Sequence, residues 1–106
     1  MTIISSQHYI DWNTVERKTE ELAGVEEVVI PCVYVGTIDG VEYAMQYDGH
    51  HTLAAARELG LKVKFDIIDD PEGLTGLELL EARYMDGDWY DVEQSDPASD
   101  TFVAIW

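Results

Sequence analysis

The chain has 106 residues, 46% of them hydrophobic, and 22 acidic residues against 6 basic ones give it a formal net charge of −16 at pH 7. This length predicts a single domain over residues 1–106, and since no apolar run could span a membrane and no secretory signal is visible, we expect a cytoplasmic protein. The charge disfavours direct binding of nucleic acid, because that binding relies on lysines and arginines that neutralise phosphates.

The first predicted element is a helix over residues 13–23. Asn13 is a suitable N-cap, and Glu16 stands three residues later, where its side chain can reach back to the cap. Gly24 follows the helix and supplies the left-handed residue with which helices commonly end.

A β-hairpin is predicted next. Two runs rich in β-branched and aromatic residues, Glu27 to Ile38 and Val41 to Tyr47, flank Asp39-Gly40, a pair typical of tight hairpin turns. Pro31 predicts an edge position or a bulge, because proline cannot donate a ladder hydrogen bond. Cys32, the only cysteine, lies in the apolar part of this pattern and is interpreted as a buried thiol.

A short helix and a third strand follow the hairpin. Alanine and leucine dominate the segment from about His50 to Leu59, and Gly60 is a suitable end. Lys62 to Ile67 alternates polar and apolar residues, which is typical of a half-buried strand. A strand, helix and strand in this order predict that Val41 to Tyr47 and Lys62 to Ile67 run parallel if they share a sheet.

The last third of the chain predicts one more helix and an acidic C-terminal extension from about residue 86. Residues 75–78 form a second capping box, and the helix is expected to end near Asp86-Gly87. Trp89 and Tyr90 either cover the domain's own core or fill a pocket of a partner. The segment from Thr101 to Trp106 is expected to form an edge strand or an ordered tail. Together the elements predict an α/β (α+β) domain with a small mixed sheet.

The turn between the second strand and the second helix is the strongest candidate for a functional site. A helix N-terminus presents unpaired N–H groups and the positive end of the helix dipole, and it binds anions, phosphates above all. Gly49 permits close approach, and of His50 and His51 we expect one imidazole to face the anion while the other packs locally. Asp48 either caps the helix or ligates Mg²⁺ shared with phosphate oxygens, since a bare carboxylate would repel a phosphate.

The segment from Tyr47 to Gly60, together with the alternating strand behind it, resembles the signature of the ParB-like nuclease and sulfiredoxin superfamily. The likeness covers about Glu27 to Asp69, and Asp-Gly-His-His at the turn is closest to the free serine kinase branch. The resemblance implies a ParB/sulfiredoxin-like fold that holds ATP, ADP or CTP with Mg²⁺. The implied cofactor-binding residues are Gly49, His50, His51 and Thr52; the implied catalytic residues are Asp48, His51 and Glu27, with Asp48 also the metal ligand.

Two departures from that signature limit the chemistry that can be carried over. Thr52 stands where the superfamily commonly has a phosphate-clamping arginine, so phosphate affinity should be reduced. His50 stands where sulfiredoxins have their reactive cysteine, which excludes sulfiredoxin chemistry. The DNA-binding and dimerisation regions of partition proteins have no room in this length.

Three functions therefore stay open at this point, and the sequence does not decide whether the chain is an enzyme. The first is a nucleotide- or phosphate-binding protein that transfers or hydrolyses a terminal phosphate. The second is a catalytically degenerate acidic protein, a polyanion or DNA mimic that inhibits a basic nucleic-acid-binding partner, by analogy with accessory proteins of phages or mobile elements. A nuclease is the least attractive, because its substrate would be repelled.

Overall fold

The computed structural model describes residues 1–106. Its elements, in chain order, are β1 (Thr2–Ser5), α1 (Trp12–Glu21), β2 (Glu27–Ile38), β3 (Val41–Gln46), α2 (His50–Leu59), β4 (Lys62–Ile68), α3 (Gly76–Ala82) and β5 (Tyr90–Asp91). The strands form one sheet in the order β4-β2-β3-β1-β5, with parallel and antiparallel neighbours. The predicted α+β class with a small mixed sheet is confirmed. None of the helices is long and apolar enough to cross a membrane.

Hydrophobic residues cover both faces of this sheet. Cys32 and Val33 are neighbours in β2, are both 0% exposed, and belong to different core clusters, because successive strand residues point to opposite faces. The cluster of Cys32 includes Leu53 and Ala56 of α2, and the cluster of Val33 includes Leu79 and Leu80 of α3. The interpretation of Cys32 as a buried thiol is confirmed, and burial raises its pKa to about 12.

The predicted hairpin is confirmed. β2 and β3 pair antiparallel with Ile38 opposite Val41, and both residues of the turn have positive φ angles, 50° at Asp39 and 80° at Gly40. β3 ends one residue earlier than expected, at Gln46, and Tyr47 is exposed. The chain therefore leaves the sheet at Tyr47, next to the turn that carries the candidate site.

The prediction that Pro31 marks an edge or a bulge is wrong. β2 lies between β3 and β4, and Pro31 pairs in register with Asp66, while the register shift falls between Tyr34 and Gly36. The carbonyl of Pro31 accepts a hydrogen bond from the amide of Tyr47, 3.0 Å away. The backbone nitrogen of a strand residue faces the same side as its carbonyl, so the nitrogen of Pro31 faces β3. Because β3 ends at Gln46, the hydrogen bond that proline cannot donate falls beyond the end of that strand.

The expected parallel pairing of the second and third predicted strands is also wrong. β4 pairs parallel with β2, which is itself antiparallel to β3, so β3 and β4 run in opposite directions. The parallel neighbour of β3 is β1, a strand that the sequence analysis did not predict. Because β1 and β2 occupy the two edges of β3, β4 has to pair on the far side of β2.

Two helix boundaries differ from the predictions. Asp11, not Asn13, caps α1, since its side chain accepts a hydrogen bond from the amide of Asn13 at 3.0 Å. α3 ends at Ala82 and not near residue 86. The chain after α3 bonds to Ser6 instead of continuing the helix. The Ser6 hydroxyl accepts from the amide of Met85 at 2.8 Å, and the Ser6 carbonyl accepts from the amides of Asp86 and Gly87. These tertiary hydrogen bonds replace further helical turns.

The segment after residue 86 contributes to the core. β5 pairs antiparallel with β1. Tyr90 and Val92 are almost fully buried in the core cluster that also contains Leu53 and Ala56 of α2. Of the two interpretations of Tyr90, the one that places it in the domain's own core is confirmed. Residues 101–106 form an ordered tail, held by isolated bridges from Thr101 to Asp96 and from Ala104 to Tyr90.

Candidate functional site

The turn between β3 and α2 requires glycine at residue 49 for two reasons. Gly49 has a φ angle of 79°, in the left-handed region that side chains disfavour. A Cβ atom there would also lie 3.2 Å from Cδ1 of Ile30, a buried residue of β2. The close approach to Ile30 fixes the point at which α2 begins above the sheet.

The N-terminus of α2 has no side-chain cap. The first helical hydrogen bond runs from the amide of Leu53 to the carbonyl of Gly49, and the amides of His50, His51 and Thr52 have no partner in the chain. Asp48 does not cap the helix: its Oδ1 accepts from the amide of Gly49 at 2.7 Å. Three convergent N–H groups are therefore available to a ligand.

These amides lie at an open depression between α2 and α1. Its lining consists of Thr14, Lys18, Asp48, Gly49, His50, His51 and Thr52. Sequence reasoning missed Lys18, which brings a positive charge to the site; its Nζ lies 3.5 Å from Oε2 of Glu21, with 38% of the lysine side chain exposed. α1 reaches the site because Val15 packs against Ala54 and Ala55. The only sequence signal was the run of alanines, which favours close helix packing without identifying the partner helix.

His50 points away from the amides and toward β1. Its Nε2 lies 2.7 Å from Oγ of Ser5, and burial lowers its pKa to about 4, although the nearby carboxylate of Asp48 opposes that shift. The imidazole is therefore neutral at pH 7 and joins the helix to the sheet. Ser5 Oγ also accepts from the amide of Gln7 at 3.1 Å, so the hydroxyl fixes both β1 and the loop behind it.

His51 contacts the start of α1. Its Nε2 accepts a hydrogen bond from the amide of Asp11 at 3.0 Å, which leaves the proton of a neutral ring on Nδ1. The pKa of Asp11 is lowered, chiefly by the hydrogen bond from the Thr14 hydroxyl. Both imidazoles thus use one nitrogen for a contact within the fold, and His51 keeps Nδ1–H as a donor.

The remaining candidate residues are divided between the depression and its surroundings. Thr52 lines the depression in the first turn of α2. Glu27 is the first residue of β2, opposite Lys62, and does not line the depression. Asp48 lines it, and its Oδ2 makes no hydrogen bond. No group of three or more histidine, cysteine, aspartate or glutamate side chains comes together to hold a metal ion.

The chemistry available in the depression is that of an anion site with one adjoining carboxylate. Three amides, the ammonium of Lys18 and the hydroxyl of Thr52 can donate to phosphate oxygens, whereas the hydroxyl of Thr14 already donates to Asp11. The free oxygen of Asp48 can supply one ligand to a divalent cation, which is the number of carboxylates that Mg²⁺ often takes when phosphates supply the rest.

No protein-family model, no curated protein and no solved structure matches this chain.

Proposed function

We propose that the chain binds a nucleotide, or another small phosphate ligand, at the N-terminus of α2. The observation that carries this proposal is the set of unpartnered amides of residues 50–52, which face an open depression next to a lysine. The resemblance of Tyr47 to Gly60 to the ParB/sulfiredoxin superfamily supports the same ligand class, because the corresponding turn in that superfamily holds nucleotide phosphates. ATP, ADP and CTP are the first ligands to test.

Lys18 compensates in part for the threonine at residue 52. An arginine in the first turn of α2 would clamp phosphate with a charged fork, whereas Thr52 offers only one hydroxyl. Lys18 supplies the missing charge from α1, but as a point charge that Glu21 partly neutralises. We therefore expect the affinity for phosphate to be weak rather than absent.

Binding is better supported than turnover. A general base needs a nitrogen or oxygen free to take a proton, and Nε2 of His51 already accepts from the amide of Asp11. His51 then acts as a donor to the ligand through Nδ1–H. The free Oδ2 of Asp48 is occupied when Asp48 acts as the metal ligand, and Glu27 has no role in this arrangement because it lies outside the depression.

Replacing Lys18 with glutamine should weaken nucleotide binding about fivefold, which is the effect of one partly exposed charge contact of about 1 kcal/mol. Isothermal titration with ATP, ADP and CTP, each with and without Mg²⁺, measures the affinity. Lys62→Gln is the matched control, because it removes the same charge from β4, outside the depression. No heat for any nucleotide at millimolar concentration, or an equal loss in both variants, would contradict the proposal.

The role of Asp48 can be tested separately with Asp48→Asn. Asparagine keeps an oxygen that accepts from the amide of Gly49 but removes the negative charge. Without Mg²⁺ the variant should bind nucleotide more tightly than the wild type, since the repulsion is gone. Addition of Mg²⁺ should strengthen binding in the wild type only. An unchanged Mg²⁺ effect in the variant would exclude Asp48 as the ligand.

A second candidate function, an acidic protein that binds a basic partner, is favoured by an apolar groove beside α3. The groove is lined by Leu77, Leu80, Glu81, Tyr84, Trp89 and Trp106. Leu77 is 70% exposed and Tyr84 is 54% exposed, which is unusual for large apolar side chains. The chain after Phe65 has twelve acidic residues and Arg83 as its only basic residue. Apolar anchors within an acidic field fit an amphipathic cationic segment of a partner protein.

This second function predicts salt-sensitive binding of a cationic amphipathic helical peptide, followed by the fluorescence of the groove tryptophans. Leu77→Ser should weaken binding about tenfold, because it removes the most exposed apolar contact of the groove. Val41→Ser is the control, since Val41 is also exposed but lies at the β2–β3 hairpin. Equal affinity at low and high salt, or equal loss in both variants, would count against this function.

A further inference from the structure

The sheet has one open edge, and it belongs to β4. At the other end of the sheet, β5 is bridged by the C-terminal tail, whereas β4 pairs only with β2. The amide of Lys62 donates to the carbonyl of Glu26 at 3.1 Å, so the even-numbered residues of β4 turn their backbone groups toward β2. The N–H and C=O groups of Val63, Phe65 and Ile67 therefore point outward without partners.

The side chains along this edge differ between its two faces. Val63 and Phe65 pack against the core cluster shared with α2 but remain partly exposed at the edge, and Ile67 on the same face is 37% exposed. On the opposite face, Lys64 and Asp66 are exposed and make no ion pair within the chain. One face of the edge thus has partly exposed apolar side chains that a second chain could cover. The other face has one positive and one negative side chain.

We propose that this edge binds a second copy of the chain, with the two β4 strands antiparallel about a twofold axis at Phe65. This register places Val63 opposite Ile67 of the second copy and Phe65 opposite its own equivalent. These are the residues whose backbone groups point outward, so each pair exchanges two hydrogen bonds. The apolar face then continues from one copy into the next, and the two sheets join into one.

The charges select this register over its neighbours. A twofold axis at Phe65 places Lys64 opposite Asp66 of the second copy, and by symmetry the pair occurs twice. An axis at Lys64 would pair Lys62 with Asp66 but would also place the two copies of Lys64 opposite each other, and an axis at Asp66 would place two aspartates together. Lysines on an edge strand normally deter pairing, but here Lys64 gains an opposite charge directly across the interface.

The strand at this edge also lacks the negative charge that dominates the rest of the chain. β4 carries Lys62 and Lys64 against Asp66, a local charge of +1 on a chain of net charge −16. Repulsion between the remaining charges is screened beyond about 8 Å at physiological ionic strength. Dimerisation should therefore strengthen between very low and physiological salt, the reverse of the salt dependence expected for a basic partner.

The test is sedimentation equilibrium of the full chain at physiological ionic strength and at micromolar to millimolar concentration. The wild type should form dimers, and both Lys64→Asp and Asp66→Lys should raise the dimer dissociation constant at least about tenfold, because each sets like charges opposite one another twice. A mixture of the two variants should dimerise again, since both cross-strand pairs then become complementary. Lys62→Asp changes the charge of the same strand outside the Lys64–Asp66 pairs and should keep the dimer.

Four results would overturn the proposal. The wild type could stay monomeric throughout the concentration range, which would leave the edge to another chain or to none. The dimer could persist in both single variants, which would place the interface elsewhere. Failure of the mixture to dimerise, or a loss in Lys62→Asp equal to that in Lys64→Asp, would exclude this register. Circular dichroism of each variant verifies that it is folded, as expected for substitutions at exposed positions of β4.

Discussion

Acidification from pH 7 to pH 4 should reduce the free energy of unfolding of the wild type by about 3 kcal/mol more than that of the variant His50→Gln. Burial next to Ser5 lowers the pKa of His50 from 6.5 to about 4. Between these two values the unfolded chain binds a proton that the folded chain does not. The stabilising contribution of the neutral imidazole is therefore complete above pH 6.5 and is lost as the pH falls toward 4.

Urea denaturation at several pH values measures this difference, and the comparison with His50→Gln removes effects common to both proteins. Relief of repulsion among the carboxylates is such a common effect. The pKa values of Asp11 and Asp70 both lie below 3.8, so the contributions of these carboxylates are lost only at lower pH. The hydrogen bond from the Thr14 hydroxyl is the chief cause for Asp11; for Asp70, burial raises the pKa, but the hydrogen bonds from Arg83 and from the amides of Leu74 and Glu72, with the charge of Arg83, together outweigh it. Parallel pH profiles in the two proteins would show that His50 is not held neutral.

Elements defined by local patterns were predicted well. β2 was predicted from a long run of β-branched and aromatic residues and α2 from its alanines and leucine, and Gly40 and Gly60 adopt the positive φ angles that their places at a turn and a helix end suggested. β1 has only four residues, too few for a period to be visible, and its position next to β3 decides the order of the sheet. Sheet order depends on pairings between distant segments, which local periodicity does not encode.

In the candidate site, too, local features were predicted from the sequence and contacts between distant residues were not. The turn at Asp48-Gly49 is a local feature, so the sequence alone indicated where a helix N-terminus would be open. Lys18 lies far away along the chain and reaches the turn only because α1 packs on α2. The orientation of His50 likewise depends on Ser5 of the unpredicted β1. Whether a histidine faces a ligand or the core is decided by such contacts.

Substitution of Arg57 by methionine should lower the free energy of unfolding by about 2 to 4 kcal/mol, the largest effect expected for a side chain near the C-terminal end of α2. The guanidinium donates from Nη1 to the carbonyl of Ser95 at 2.9 Å and from Nη2 to the carbonyl of Val92 at 2.7 Å. Methionine retains much of the apolar contact of the side chain but leaves both partly buried carbonyls without a donor.

The structural consequence of Arg57→Met should be confined to the C-terminal segment, because Arg57 is the side chain that joins α2 to the carbonyls of residues 92 and 95. Hydrogen exchange should accelerate over residues 92–104 and stay near the wild-type rate in β2 and β3. Arg17→Met is the control: Arg17 is exposed on α1, and its loss should change stability by no more than about 0.5 kcal/mol. Uniformly faster exchange would instead indicate that the acidic segment and the sheet unfold as one cooperative unit. Equal stability of the two variants would mean that the hydrogen bonds of Arg57 contribute no more than those of a surface arginine.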